Sequence, residues 1–284
     1  MTKPATSIHS EGRFVRANGI DIYCVEAGRG PPLLLLHGGL MSNGPSWAGY
    51  RGSYVSRMDA FAAHFRVIAP ALRGHGKTIN VGGSPISYTQ AADDMLALCD
   101  ALGVERPLMC GFSAGATIAT IAAIRKPEAV RALVNDAGYD PFNPDPKAPA
   151  FALCRQVFGG RPDATQADPD ALEPFLKANG MDDFLRRLKA DQDGAREPGA
   201  WRALIATLFD ALTWCPFDFE DLRNITAPTL VLTGDRDMSC SVEEAVTAYR
   251  MLAKGELAIL PNEGHSVPDS AVEVSIEFLR QHAA

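Results

Sequence analysis

Short apolar runs alternate with longer segments of helical periodicity along most of the chain. The apolar runs are rich in Leu, Val and Ile, and they lie at 33–36, 65–69, 108–110, 131–134, 229–232 and 257–260. Between them, segments such as Ala91–Leu102 place apolar residues on one helical face, at positions 92, 95, 96 and 99. Strands that are apolar on both faces and separated by helices predict a mainly parallel sheet flanked by helices.

Two segments depart from this alternation. Near the start, the runs 14–17 and 20–25 flank Asn18-Gly19, a two-residue turn signal that predicts a β-hairpin. Residues 139–224 contain no convincing strand, and this stretch is too long for a plain connection. Its amphipathic segments predict helices at 151–158, 170–178, 181–190 and 200–212. We therefore expect a core domain formed by 1–138 and 225–284, with 139–224 inserted as a helical cap.

Composition limits the classes of function. The 284 residues are 46% hydrophobic and 21% charged, with a net charge of −7, which is typical of a soluble globular enzyme and argues against nucleic acid as a partner. The apolar run 33–36 is far too short to span a bilayer, and the polar start of the chain predicts a cytoplasmic protein without membrane association. The six cysteines form no C-x-x-C pair, which favours free thiols over disulfides or a metal site.

A serine stands at the best-marked turn of the chain, between the apolar run 107–110 and the small-residue run 116–124. The sequence there is Gly111-Phe112-Ser113-Ala114-Gly115, the G-x-S-x-G pattern of a strand–turn–helix that exposes a nucleophilic serine. A Cβ at either glycine would collide with such a turn, and the next helix would direct its positive end at the hydroxyl. These flanks favour a nucleophile over an ordinary helix start.

A serine nucleophile needs a base. His265 is the predicted base, because it follows the last predicted strand and precedes the terminal helix 267–280, which places it at the carboxyl edge of the sheet. His37 and His75 also follow strands, but in glycine-rich turns where a structural hydrogen bond to loop backbone is favoured. The remaining histidines lie at the chain ends or at the amino end of a strand, at positions 9, 282 and 64.

An acid should orient the base from a loop after another strand. Asp235 and Asp237 follow the run 229–233, and Asp136 follows 132–134. Asp237 is favoured because it stands deeper in its loop and can reach across the sheet edge, whereas Asp235 could instead cap the turn. Asp136 and Asp235 remain alternatives. The resulting chain order of serine, aspartate and histidine is the order found on one hydrolase scaffold.

Acyl transfer also needs N–H donors for the developing oxyanion. The backbone amide of Ala114, at a helix N-terminus, is one candidate. The second is the amide of Gly39 in the loop His37-Gly38-Gly39 after the first buried strand, where the missing side chain permits close approach to a substrate. The two glycines could also simply form a tight turn, and both roles are compatible.

These segments together resemble the α/β-hydrolase superfamily, in its branch of capped, lipase-like esterases. The resemblance is carried, in the family's order, by segments 37–39, 73–76, 111–115, 234–237 and 263–265. It implies an α/β-hydrolase fold with a helical cap and a triad of Ser113, Asp237 and His265. It also implies an oxyanion hole at Gly39 and Ala114, with neither a cofactor nor a metal.

The expected activity is hydrolysis of a small, apolar or aromatic carboxylic ester through an acyl-serine. A lactonase or a C–C bond hydrolase would use the same groups, so both remain alternatives. A cofactor-free oxygenase would need only the His–Asp pair, and a ligand receptor could keep the triad with negligible turnover. Aromatic residues in and near the insertion are candidate substrate contacts: Trp47, Phe112, Phe142 and Trp214.

Overall fold

A computed structural model of the chain describes residues 12–39, 57–83, 86–138, 169–178, 180, 182–207, 217–237 and 239–283. The described strands form one eight-stranded sheet in the order β1-β2-β4-β3-β5-β6-β7-β8. The strands are β1 Arg13–Ala17, β2 Ile20–Ala27, β3 Pro32–Leu36, β4 Arg66–Pro70, β5 Leu108–Phe112, β6 Ala132–Asp136, β7 Thr229–Gly234 and β8 Gly255–Leu260. This is the predicted α/β-hydrolase architecture.

The direction of the strands follows from their connections. The first two strands are joined by the two-residue turn Asn18-Gly19 and pair antiparallel, with Ala17 opposite Ile20. β2 also runs antiparallel to β4, whereas every pairing from β4 through β3, β5, β6 and β7 to β8 is parallel. The carboxyl ends of the parallel strands therefore share one edge of the sheet, where the loops that carry the candidate residues begin.

Among the described helices, some pack against the sheet and three lie in the insertion 139–224. They are α1 Met58–Ala62, α2 Tyr88–Ala101, α3 Ala114–Arg125, α4 Pro169–Ala178, α5 Asp182–Ala195, α6 Ala200–Thr207, α7 Val242–Met251 and α8 Asp269–Gln281. Short 3-10 helices span Pro127–Ala129 and Phe219–Asn224. The central strands β3, β5, β6 and β7 are buried almost throughout, as continuous apolar runs require, whereas the edge strand β8 is only half-buried.

The described part of 139–224 consists of α4, α5, α6 and the second 3-10 helix, with no strand among its described residues. The helix expected at 151–158 lies outside the described residues. Three hydrogen bonds tie the insertion to the loop after β4. Arg196 Nη2 donates to Gly74 O at 3.0 Å, Gly76 N donates to Gln192 Oε1 at 3.0 Å, and Ile86 N donates to Thr207 O at 2.6 Å.

Several element boundaries differ from the sequence prediction, and two of them lie close to candidate site residues. The terminal helix begins at Asp269 instead of Val267, because Pro268 holds an extended conformation at its N-cap and the residue before a proline disfavours helix. β6 continues to Asp136, so this aspartate is the last residue of the strand and not part of the following loop. Among the described residues, Cys24, Cys99, Cys110 and Cys240 are buried and form no disulfide. No helix in the described ranges is long and apolar enough to cross a membrane.

Candidate active site

Ser113 stands in a strained turn between β5 and α3. Its backbone has φ +52° and ψ −123°, a conformation that costs roughly 1–3 kcal/mol for a residue with a side chain. A Cβ on Gly111 would lie 2.5 Å from Ala116 N, and one on Gly115 would lie 2.5 Å from the carbonyl oxygens of Leu36 and His37. Both flanking positions therefore need glycine, as the sequence predicted.

The helix after the serine is almost wholly buried. Residues 114–123 of α3 are all buried, so the positive end of its dipole acts in surroundings of low polarity. The first N–H groups of a helix have no partner within the helix, which leaves the Ala114 amide available to an acceptor beside Ser113. Ser113 N itself donates to Asp136 O on the neighbouring strand at 2.8 Å, which fixes the turn to β6.

His37 fixes the loop that contains the other candidate oxyanion amide. Leu72 N donates to His37 Nε2 at 3.0 Å, so Nε2 must be the unprotonated nitrogen. His37 Nδ1 therefore carries the proton and donates to Gly38 O at 2.6 Å. The Gly38 carbonyl and the Gly39 N–H belong to one planar peptide unit and point in opposite directions. The imidazole thus sets the direction of the Gly39 amide.

Burial keeps this imidazole neutral. His37 is fully buried, and desolvation together with the neighbouring His75 lowers its pKa to about 3. His75, whose ring lies edge-on to that of His37 with centroids 5.0 Å apart, has its pKa lowered to about 4, also mainly by burial. Burial thus favours the neutral form of both histidines, which agrees with the structural role expected for them.

A buried ion pair anchors the loop after β4, which contains His75. Arg73 and Asp94 are 6% and 0% exposed, and the guanidinium binds the carboxylate through two hydrogen bonds of 2.8 and 2.5 Å. Asn18 Nδ2, from the β1–β2 turn, donates to the same carboxylate at 2.6 Å. His75 Nδ1 donates to Arg73 O at 3.0 Å, which links the ion pair to the two histidines. The loop after β4 is therefore held by α2 and by the hairpin.

Asp237 and His265 meet on the other side of Ser113. His265 Nδ1 lies 2.9 Å from Asp237 Oδ2 and 3.1 Å from Oδ1. The aspartate side chain is 1% exposed, whereas that of the histidine is 28% exposed. The backbone N–H groups of Ser239 and Cys240 donate to Asp237 Oδ1 at 2.7 and 3.1 Å. These bonds fix the carboxylate as an acceptor for the Nδ1–H group of His265. The other imidazole nitrogen, Nε2, therefore points away from Asp237.

Backbone bonds join the two loops that carry this pair. Asp235 N donates to Leu260 O and Arg236 N donates to Glu263 O, both at 2.9 Å. The loop after β8 is thereby drawn towards the end of β7, which brings His265 to Asp237. The two alternative candidates for the orienting acid lie elsewhere. Asp235 has its side chain exposed in this turn, and Asp136 is buried at the end of β6.

Phe112 connects the histidine to the serine. Its ring lies 4.6 Å from the imidazole of His265, centroid to centroid, with a tilt of 37°. Only 6% of Phe112 is exposed, and its predicted contact with substrate stays a prediction. The other predicted substrate contacts, Trp47, Phe142 and Trp214, lie outside the described residues. In the same described part of the chain, no three His, Cys, Asp or Glu side chains are grouped closely enough to hold a metal ion.

A family model described as the alpha/beta hydrolase family matches residues 33–276. The chain belongs to the α/β-hydrolase family. A 2-hydroxymuconate semialdehyde hydrolase of Pseudomonas sp. (strain CF600) is 35% identical over 89% of this chain and 87% of its own length. The pimeloyl-[acyl-carrier protein] methyl ester esterase of Nitrosospira multiformis is 27% identical over 92% of this chain and 99% of its own. The protein is accordingly a hydrolase.

Solved structures agree on the fold. A meta-cleavage product hydrolase from Pseudomonas fluorescens IP01 superposes with a TM-score of 0.72, covering 95% of this chain and 98% of the other, at 21% sequence identity. That likeness covers nearly the whole length of both chains and supports the fold.

Sequence reasoning missed one part of this α/β-hydrolase site. Asn18, Arg73 and Asp94 are far apart in the sequence, and nothing in their local patterns shows that they meet. Asp94 lies in α2 directly after Asp93, which is half exposed and pairs with Arg125 at the surface, so by position alone the two aspartates look alike. The one available signal was the position of Arg73 next to Gly74-His75-Gly76.

Proposed function

We propose that this α/β-hydrolase cleaves a small carboxylic ester through an acyl-enzyme on Ser113, with His265 as the base and Asp237 as its orienting acid. The observation that supports this assignment best is the pairing of His265 Nδ1 with the buried Asp237 carboxylate at 2.9 Å. The pair stands at the same sheet edge as a serine in a strained strand-to-helix turn. Strained backbone and a buried carboxylate–imidazole pair are both typical of functional sites.

The reaction runs in two halves. Ser113 Oγ attacks the ester carbonyl while His265 Nε2 takes the hydroxyl proton, and the carbonyl oxygen becomes an oxyanion held by the amides of Gly39 and Ala114. The bond to the alcohol oxygen breaks, and His265 passes its proton to that oxygen. Water then attacks the acyl-serine, giving a proton to His265, and the carboxylic acid leaves as the proton returns to Ser113. Asp237 holds the imidazole throughout and stabilises its charged form.

The helical insertion is proposed to act as a cap over this site. Its hydrogen bonds to Gly74, Gly76 and Ile86 place α5 and α6 against the loop after β4, next to the candidate oxyanion loop. A cap in this position would exclude water from the acyl-enzyme and would shape the entrance for a small molecule.

A C–C bond hydrolase is the second candidate. It is favoured by the relative with 35% identity, which is a 2-hydroxymuconate semialdehyde hydrolase. On this chain, the same serine and histidine would act on a diketone, with a carbanion in place of the alcohol as leaving group.

A substrate panel with a matched variant separates the candidates. Wild type and Ser113→Ala are assayed with 4-nitrophenyl esters, lactones and β-diketones. Ester hydrolysis that is lost in Ser113→Ala supports the proposal. Diketone cleavage without ester hydrolysis supports C–C cleavage, and turnover that survives in Ser113→Ala contradicts any role of the serine as nucleophile.

A further inference from the structure

A small apolar cavity is lined in part by Gly39 and Ala114, the two residues that carry the candidate oxyanion amides. Its volume is about 20 Å³, and Gly39, Leu72, Ile86, Ala91, Ala114 and Ile118 are among the residues that line it. Arg73 and His75 also border it, yet the surface that faces the cavity is wholly apolar. The guanidinium of Arg73 is instead bound to Asp94. Nothing in the proposed ester hydrolysis yet assigns a role to this space.

The topology of the sheet determines which part of an ester can reach the cavity. Its walls come from the loops after β3 and β4 and from α2, which lie on one side of β5, together with the start of α3. Asp237 and His265 follow β7 and β8, which lie on the other side of β5. Ser113 stands between the two groups.

A carbonyl carbon bound to Ser113, with its oxygen between the amides of Gly39 and Ala114, has two substituents left to place. The alcohol must receive its proton from His265, so it has to lie on the His265 side. The acyl substituent is therefore directed away from His265, towards the cavity.

We infer that this cavity is the acyl-binding site and that the substrates are esters of very short acids, of acetyl or propionyl size. The inference rests on the proposed function and adds the substrate class. A cavity needs roughly 10–15 Å³ to hold one water-sized group, so 20 Å³ holds a methyl or ethyl group and little more. A longer chain would have to displace Ile86 or Ile118, both only 3% exposed in a closely packed interior.

The test measures kcat/KM for 4-nitrophenyl acetate, butyrate, hexanoate and octanoate. Wild type should prefer acetate over hexanoate. Ile118→Ala and Ile86→Ala enlarge the cavity from two different elements, and each should raise the hexanoate-to-acetate ratio about tenfold or more, since a methylene in a fitted pocket changes kcat/KM about 10–200-fold. Ile121→Ala is the matched control, because Ile121 lies on the same helix with the same 3% exposure but is not among the lining residues.

The outcomes are distinguishable. An unchanged chain-length preference in both enlarged variants, with esters still hydrolysed, would place the acyl group elsewhere and overturn the inference alone. An equal shift in Ile121→Ala would show general loosening of the core and would also overturn it. Absence of ester hydrolysis in wild type, together with no labelling of Ser113 by a fluorophosphonate, would overturn the proposed function on which the inference rests.

Discussion

The two sides of Ser113 use the same residue type in opposite ways. On the β3–β4 side, His37 and His75 are 0% and 2% exposed, and both are held neutral by burial. On the β7–β8 side, the His265 side chain is 28% exposed and bound to a buried carboxylate. The first side holds buried, neutral groups, whereas the second combines a partly exposed imidazole with a buried carboxylate. The difference shows that burial and partner, more than residue type, decide what a histidine does.

Each arrangement suits the task that we propose for it. An oxyanion hole is effective when its donors are already aimed before the reaction, and buried, mutually bonded groups hold such an aim. A general base must gain and lose a proton in every cycle, which requires access and a partner for the charged form. Substitutions can disrupt each side separately.

The largest effect is expected from Asp237→Asn on the proton-transfer side. Asparagine can donate to His265 Nδ1 and so favours the wrong tautomer, which should lower kcat by about 10⁴. Steady-state kinetics measure the loss, and circular dichroism verifies the fold. Asp235→Asn, in the exposed turn, should cost much less. If Asp136→Asn lost most of its kcat while Asp237→Asn kept nearly normal kcat, the orienting acid would come from β6.

On the buried side, Asp94→Ala should destabilise the fold by about 3–5 kcal/mol, because it leaves the buried charge of Arg73 without its partner. Urea unfolding measures this loss. Asp93→Ala is the adjacent control, since it removes only an exposed pair with Arg125 and should cost about 1 kcal/mol or less. A double variant, Arg73→Met with Asp94→Leu, should recover much of the stability. Equal losses in Asp94→Ala and Asp93→Ala would mean that the buried ion pair does not stabilise the fold.

His37→Ala should lower kcat about 10²–10³-fold while leaving KM nearly unchanged, because it frees the peptide that aims the Gly39 amide at the oxyanion. His37→Asn keeps a donor that can reach Gly38 O, so it should recover part of the rate. His64→Ala, at an exposed position, is the control. A rise in KM with kcat intact would show that His37 affects substrate binding and not the oxyanion.

A further expected effect on the buried side is a pH dependence of stability. The folded-state pKa values of His37 and His75, about 3 and about 4, lie below the ordinary 6.5. The unfolded chain therefore binds more protons between pH 6.5 and 4. The stability that comes from keeping these histidines neutral is complete above pH 6.5 and should decrease as the pH falls through this window.

Urea unfolding at several pH values tests this dependence. His75→Gln should flatten the loss between pH 6.5 and 4 relative to wild type, and His64→Gln should leave it unchanged. A profile that is equally steep in His75→Gln and wild type would exclude His75 as a source of the dependence.

The parts that could be predicted are those in which local sequence and fold agree. Continuous apolar runs identify buried parallel strands, and a serine between two glycines identifies the turn after β5, because no other residue tolerates those contacts. The position of His265 after the last strand was enough to bring it to the correct edge. Asp237 was favoured as its partner for the same reason, because the loops after β7 and β8 both leave the sheet at that edge.

The rest depends on tertiary contacts that leave no local pattern. Asp94 follows Asp93 on α2, and its burial depends on Arg73 and Asn18, which come from a distant loop and a hairpin turn. The acyl cavity likewise arises where α2, α3 and two loops fail to fill the space between them. Packing of that kind is a property of the assembled fold, and no single segment predicts it.

Covalent labelling is the most direct test of Ser113 as the nucleophile. Wild type is treated with a fluorophosphonate, and the site of the adduct is mapped by peptide mass spectrometry, with Ser113→Ala as the control. We expect one adduct, on Ser113, formed in parallel with loss of ester hydrolysis and absent from Ser113→Ala. An adduct on another serine, or full activity in Ser113→Ala, would contradict it.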